Sequence, residues 1–212
     1  MISEERIELF KSKIAKCDLT YIKAIVLVGS ACLPCIDNPR DFDIYAYVSN
    51  EWGGKMVEAI QELRHALKDA FPEESVAVKA RMEDEWIFGC ESLEDAGPHN
   101  PCFLSPYAYQ FHTQIVLYGD TADISDWIDI LGEHKRPYLR NLRYIMEHHF
   151  TATPKRAHSK YLYHVLTGLY MIENNGYFLT EEQGRNVKIA HDHVDLDAYD
   201  RLFAWAKEAT AE

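Results

Sequence analysis

Apolar residues fall at helical spacing at the start of this chain, run together over residues 22–28, and return to helical spacing after residue 121. Ile7, Phe10 and Ile14 predict a helix over 4–16, and Asp18 and Thr20 mark a break before a strand over 22–28. A second strand covers about 42–48. Beyond Asn50 and Gly53-Gly54, the residues Met56, Ile60, Leu63, Leu67 and Phe71 recur every three or four positions, predicting a helix that Pro72 ends. SVAVKAR (75–81) reads as a third strand, residues 83–112 as irregular, and QIVLYGD (114–120) as a fourth strand with a sharp stop. This alternation argues for an α/β layer with helices packed on one sheet. Helices are then predicted over 124–131, 136–149, 157–174, 180–192 and 196–209. Asn174-Asn175-Gly176 ends one of them, and Thr180-Glu-Glu-Gln183 reads as a capping box opening the next. The chain divides accordingly into 1–120, an α/β domain, and 121–212, a helical bundle.

Chemistry concentrates in residues 25–48, IVLVGSACLPCIDNPRDFDIYAYV. Side chains alternate across a strand, so Asp41 and Asp43 project from one face while Phe42 and Ile44 point the other way. Two carboxylates on one rigid edge can share a pair of divalent cations ~3.5–4 Å apart, as in-line phosphoryl transfer requires. Gly29 lets a phosphate approach the backbone, and the Ser30 hydroxyl can bond a phosphate oxygen. The plainer alternative is a Gly-Ser turn before a strand whose two Asp side chains are merely solvated.

Val28, Gly29, Ser30, Asp41, Phe42, Asp43 and Ile44 together resemble the signature of the polymerase-β-like nucleotidyltransferase superfamily, and Leu117-Tyr118-Gly119 resembles the strand that ends the catalytic domain in kanamycin-type and related small members. The resemblance implies an α+β fold: a mixed sheet with flanking helices, followed by a C-terminal helical bundle. It makes 1–120 catalytic, with Mg²⁺ on Asp41 and Asp43, and the nucleotide against Gly29, Ser30 and Lys160. The implied reaction moves a nucleoside monophosphate from a nucleoside triphosphate, ATP first among them, to an acceptor hydroxyl, releasing pyrophosphate. The acceptor is not identified; an aminoglycoside is one candidate. Members of the superfamily usually carry a third carboxylate on the strand after the long helix, where this chain has Ala77 within Val76-Ala77-Val78. Glu73 or Glu74 could supply it from the strand start, or it could come from the 83–95 cluster or from Glu147. The third alternative is a protein of weak or no activity that binds nucleotide, RNA or a protein partner.

Composition narrows the picture. The chain has 212 residues, 47% of them hydrophobic, and no apolar run approaching the ~20 needed to span a bilayer. Its amphipathic, acidic start does not read as a secretory signal, and five cysteines without a dense framework fit a reducing cytoplasm. Cys32 and Cys35 form a CxxC, better read as two small loop residues than as a zinc or redox site. The net charge of −12 disfavours nonspecific nucleic-acid binding. Residues 135–160, however, hold seven Lys or Arg against Glu147, a local +6 that leaves −18 elsewhere. Such a segment suggests a focused anion site, for a nucleoside triphosphate or a short stretch of RNA. Lys155 and Arg156 share it. Arg143 and His148 match the Arg-x-x-x-x-His spacing of HEPN ribonucleases, a minor reading beside the first; His148-His149 and His191-x-His193 lack a third metal partner. The acids from Glu83 to Asp95, interleaved with Trp86 and Phe88, read either as a solvated loop or as a surface for a polycationic sugar.

Overall fold

The structure is a computed structural model that describes residues 1–39, 41–49, 56–82, 107–121, 129–150, 155–193 and 195–211, with the side chains of 56, 81, 82, 149 and 155–160 outside that set. The elements are α1 (Glu4–Ile14), β1 (Ile22–Val28), a 3₁₀ turn (Gly29–Cys32), β2 (Asp41–Val48), α2 (Met56–Ala70), β3 (Ser75–Met82), α3 (Gln110–Thr113) and β4 (Ile115–Gly119). They continue with α4 (Lys135–Tyr144), a π turn (Ile145–His149), α5 (Lys155–Glu173), α6 (Glu181–Asp192) and α7 (Leu196–Ala209). Contacts group the chain into two compact units, Met1–Phe88 with Gln110–Trp127, and Gly89–Tyr109 with Ile128–Glu212.

In the first unit the strands form one mixed sheet in the order β3-β2-β1-β4. β1 runs antiparallel to both neighbours, whereas β2 and β3 are parallel. A parallel pair needs a long crossover, and α2 lies in the segment that supplies it. Phe42, Ile44, Ala46 and Val48 of β2 are buried together with Ile25 and Leu27 of β1, Phe10 and Ile14 of α1, and Ile60, Leu63, Leu67 and Phe71 of α2. Phe10 stacks on Phe71 at 4.1 Å and meets Phe42 edge-on at 5.2 Å. Arg64 of α2 donates through Nε (3.0 Å) and Nη2 (2.7 Å) to the Val78 carbonyl, tying the helix to edge strand β3. At Gly119, φ is +74° and a Cβ would stand 1.8 Å from the Lys23 carbonyl oxygen, so β4 must end on glycine.

In the second unit α5 packs on α6 and α7, and its buried face carries Leu162, Val165, Leu166 and Leu169. Tyr138 of α4 is fully buried against Gly168, where a Cβ would come within 2.1 Å of the phenol oxygen. The capping box of α6 forms as expected: Gln183 N–H donates to Thr180 Oγ1 (3.3 Å), and Thr180 N–H donates to Gln183 Oε1 (2.9 Å). Two expectations for this region change. The helix foreseen over 136–149 leaves α geometry after Tyr144 and finishes as the π turn. Of the helix foreseen over 124–131, residues 122–128 lie outside the described set. Its last residues form a turn instead, in which the Asp129 carboxylate accepts from Leu131 N–H at 3.0 Å and Tyr177 O–H at 3.1 Å. Among the described residues no helix is long and apolar enough to cross a membrane.

Phe10→Ala should cost about 3–5 kcal/mol, because it empties the centre of the three-ring cluster beneath β2. Urea unfolding would show a lower midpoint with an unchanged slope; a midpoint near that of the parent would contradict the packing described.

Candidate functional site

The site is built where β1 ends and β2 begins. Val28 pairs with Asp43, so the turn that leaves β1 starts beside that carboxylate. Gly29 has φ +80°, and a Cβ there would lie 3.4 Å from Asp43 Oδ2 and 3.9 Å from Gln110 Nε2. Glycine therefore supplies both the left-handed backbone and a shallow space next to the acid. Ser30 follows, half-buried, and its carbonyl accepts from Leu33 N–H at 3.2 Å. Behind it the turn is pinned by the buried Ala31, Cys32, Leu33 and Ile36, and by Ile2 N–H donating to the Ala31 carbonyl at 3.0 Å.

The strand alternation comes out as the pattern requires. Phe42 and Ile44 are buried at 1% and 0% exposure, while Asp41 is exposed and the Asp43 side chain keeps 36% of its surface in solvent. Both carboxylates thus share the face of the sheet opposite α1 and α2, adjoining the Gly29 turn. The parallel register then decides what stands next to them on β3: Ser75 beside Asp41, Ala77 beside Asp43, and Lys79 beside Tyr45. The Lys79 ammonium lies 3.6 Å from Asp43 Oδ1 and 5.5 Å from the Tyr45 ring centroid.

No third carboxylate joins this face among the described residues. Glu74 is engaged elsewhere, by Arg6 of α1, whose guanidinium lies 4.9 Å from the Phe42 ring and hence on the opposite side of β2. Glu73 is exposed at the turn before β3. Glu147 pairs with Arg143 at 3.0 Å in the second unit, and the 83–95 cluster with Trp86 and Phe88 lies outside the described residues. Asp41 and Asp43 remain: two hard oxygen donors on a rigid strand, beside a turn whose glycine places no side chain against Asp43. Such a set suits one octahedral Mg²⁺ completed by water and phosphate oxygens. Among the described residues no further carboxylate stands beside them for a second ion, since Ala77 and Lys79 occupy the neighbouring positions on β3.

The other singled-out residues are placed separately. Lys160 lies in the second turn of α5, and its side chain, like those of Lys155 and Arg156, is outside the described set. Arg143 is held by Glu147 and donates to the Ala211 carbonyl at 3.3 Å, while His148 stacks on Tyr144 at 4.5 Å. His191 bonds Asp192 at 2.8 Å, and His193 lies against Tyr199 at 4.5 Å. Among the described residues no three His, Cys, Asp or Glu side chains are grouped to hold a metal. Cys32 donates its S–H to the Leu27 carbonyl at 3.1 Å, and burial pushes its pKa up to about 12, so it stays a thiol that braces the turn. Lys79 and Gln110 are the site residues that sequence patterns missed. Neither carries a local signal; each arrives through sheet register or through the four-residue helix α3.

No family model matches the chain, nor does any curated protein. Among solved structures it is similar to a spectinomycin adenyltransferase, AAD(9) from Enterococcus faecialis, crystallised with ATP and spectinomycin. The identity is 11%, the match covers 99% of this chain and 100% of that one, and the TM-score is 0.56.

A thiol with a pKa of about 12 is ionised on the order of 10⁻⁴ at pH 8. Iodoacetamide at that pH should leave Cys32 unmodified in the native protein and label it in urea, as read by peptide mass spectrometry; rapid native labelling would mean that the turn is not built this way.

With its four-stranded mixed sheet, flanking helices and C-terminal helices, the chain has the α+β nucleotidyltransferase fold, the fold expected from its resemblance to the polymerase-β-like superfamily.

Proposed function

We propose that this protein is a Mg²⁺-dependent nucleotidyltransferase that moves a nucleoside monophosphate from a nucleoside triphosphate, ATP in the first instance, to an acceptor hydroxyl. The observation that carries the reading is the joint placement of Asp41 and Asp43 on one exposed face beside the positive-φ Gly29. The fold shared with an adenyltransferase crystallised with ATP supports it. Under this reading residues 1–120 are the catalytic domain and 121–212 the helical domain.

Asp41 and Asp43 would hold the ion, which would supply charge neutralisation for the phosphates and the departing pyrophosphate. Gly29 admits the triphosphate to the backbone of the turn, and the Ser30 hydroxyl donates to a phosphate oxygen. Lys79 adds a positive charge beside Asp43. The acceptor oxygen bonds to the α-phosphorus while the bond to the bridging oxygen of pyrophosphate breaks, and the hydroxyl proton of the acceptor passes to solvent water. For such a reaction the protein contributes positioning and charge, not covalent chemistry.

A second reading has its own observation: with Ala77 and Lys79 where a further acid would stand, the site can bind nucleotide without turning it over. Calorimetry with Mg²⁺ and each nucleotide separates the two, since binding without pyrophosphate release over long incubation favours the binding module.

Asp43→Ala should abolish Mg²⁺-dependent nucleotide consumption while shifting stability by no more than about 1 kcal/mol, as expected for a change outside the core. Equal turnover in the variant would remove the metal-site assignment. Lys79→Ala should tighten Mg²⁺ binding in the absence of nucleotide, by no more than about fivefold, because an exposed ion pair is worth at most about 1 kcal/mol. Titration calorimetry at low salt measures this; weaker binding in the variant would show that Lys79 does not compete for Asp43.

A further inference from the structure

The basic segment foreseen in the sequence takes a definite form in the second unit. One face of α4, from Lys135 to Arg143, lines an open hollow of about 930 Å³ together with the turn before the helix and Thr210. That volume lies in the range of small-molecule sites. Among the described residues four cations line it, Lys135, Arg136, Arg140 and Arg143, against one acid, Glu133. The arginines follow at i, i+4 and i+7, so they share one face of the helix. Arg143 is fixed by Glu147 (3.0 Å) and the Ala211 carbonyl (3.3 Å), and Glu133 lies 3.7 Å from His134 Nε2. Lys135 and Arg136 are exposed and make no ion pair with the described residues.

Helix stability does not explain this arrangement. α1, α6 and α7 each begin with a side-chain cap and acids in the first turn: Ser3 with Glu4 and Glu5, Thr180 with Glu181 and Glu182, Asp195 with Asp197. α4 has no acid in its first turn and no side-chain cap; instead Lys135 and Arg136 stand at the positive end of its dipole, where cations are disfavoured. Like charges gathered around one hollow, in a chain whose net charge is −12, lower their mutual repulsion when an anion sits among them.

We infer that this cavity binds a small ligand carrying clustered phosphates. Planar guanidinium groups donate in pairs to phosphate oxygens, which suits three arginines on one face. A polycationic aminosugar is repelled by the same groups. A nucleic acid is the poorer fit, since the cations line a hollow instead of a long stripe and the rest of the chain is acidic. The inference does not require Asp41 and Asp43 to act as proposed above, and its test separates the two.

Inorganic tripolyphosphate, titrated calorimetrically into the full chain without Mg²⁺ at about 0.15 M salt, should bind at one site. The double variant Arg136→Glu, Arg140→Glu alters exposed positions and should bind at least tenfold more weakly, with an unchanged circular-dichroism melt. Arg136→Gln should lose a smaller factor, and Asp43→Ala should bind as the parent does even if it has lost turnover. A non-hydrolysable ATP analogue that displaces tripolyphosphate identifies the nucleotide as the source of the phosphates; simultaneous binding of both identifies a second, phosphorylated molecule, and either result upholds the site. No binding, equal binding in the double variant, or tight binding of a 20-nucleotide RNA that tripolyphosphate cannot displace would overturn it.

Discussion

Strand β2 serves two purposes with alternate residues, and the site depends on neither being able to move without the other. Phe42, Ile44 and Val48 are buried beneath α1 and α2, while Asp41 and Asp43, one step out of phase, face away. A slip of one residue would turn the carboxylates into the core and the apolar set into water. Exposing those three large side chains alone forfeits about 1.5–3 kcal/mol each, which together is comparable with the whole stability of an ordinary domain. The position of the two acids is therefore enforced by the packing of residues that never touch a ligand. The Phe10, Phe42 and Phe71 cluster, with Arg6 against it and Glu74 on Arg6, is the physical anchor of a site on the other side of the sheet.

The same constraint explains why the neighbouring strand matters. Once β2 is fixed, the parallel register with β3 delivers Ser75, Ala77 and Lys79 to the acidic face, and no side chain there can be exchanged with Val76 or Val78 without breaking the core. Two carboxylates and an ammonium carry a net charge of −1; a third carboxylate in place of the ammonium would make it −3. Under the proposed function the milder charge changes the requirement on the metal. A triphosphate approaching a −3 site needs more than one divalent cation to offset repulsion, whereas at −1 a single one leaves the site positive. The Lys79 arrangement is thus compatible with a one-ion site and, equally, with the second reading, in which nucleotide is bound without transfer.

Much of this was legible in the sequence because the signals were local. The alternation of DFDIYAYV, the glycine after an apolar strand, the Thr180 to Gln183 box and the spacing of Leu63 and Leu67 each state their structure within a few residues. Lys79 was not legible. Its place depends on the offset between two strands separated by α2, and no window of sequence encodes that offset. Gln110 is hidden for a similar reason, since a helix of four residues has no period to detect. The end of α4 escaped because a π turn adds a single residue to the repeat, leaving the apolar spacing almost unaltered while the hydrogen-bond ladder changes. The turn around Asp129 was masked by apolar neighbours that suggest a helix, whereas the carboxylate competes for the local N–H groups and wins.

Charge is the remaining link between sequence and chemistry, and here the two units differ. The chain as a whole is acidic, yet the segment that becomes α4 is strongly basic, and folding sharpens the contrast by turning its arginines to one side of a helix. Had those residues been scattered on a solvated face, each would be expected to find an acid one turn away, as Arg185 does with Glu181 and Lys188 with Asp192. In α4 Arg143 has Glu147, whereas Lys135 and Arg136, in the first turn, make no ion pair with the described residues and face a hollow lined mainly by cations. Compensation applied to one end of a helix and withheld from the other is the pattern expected when the missing counter-charge arrives with a ligand.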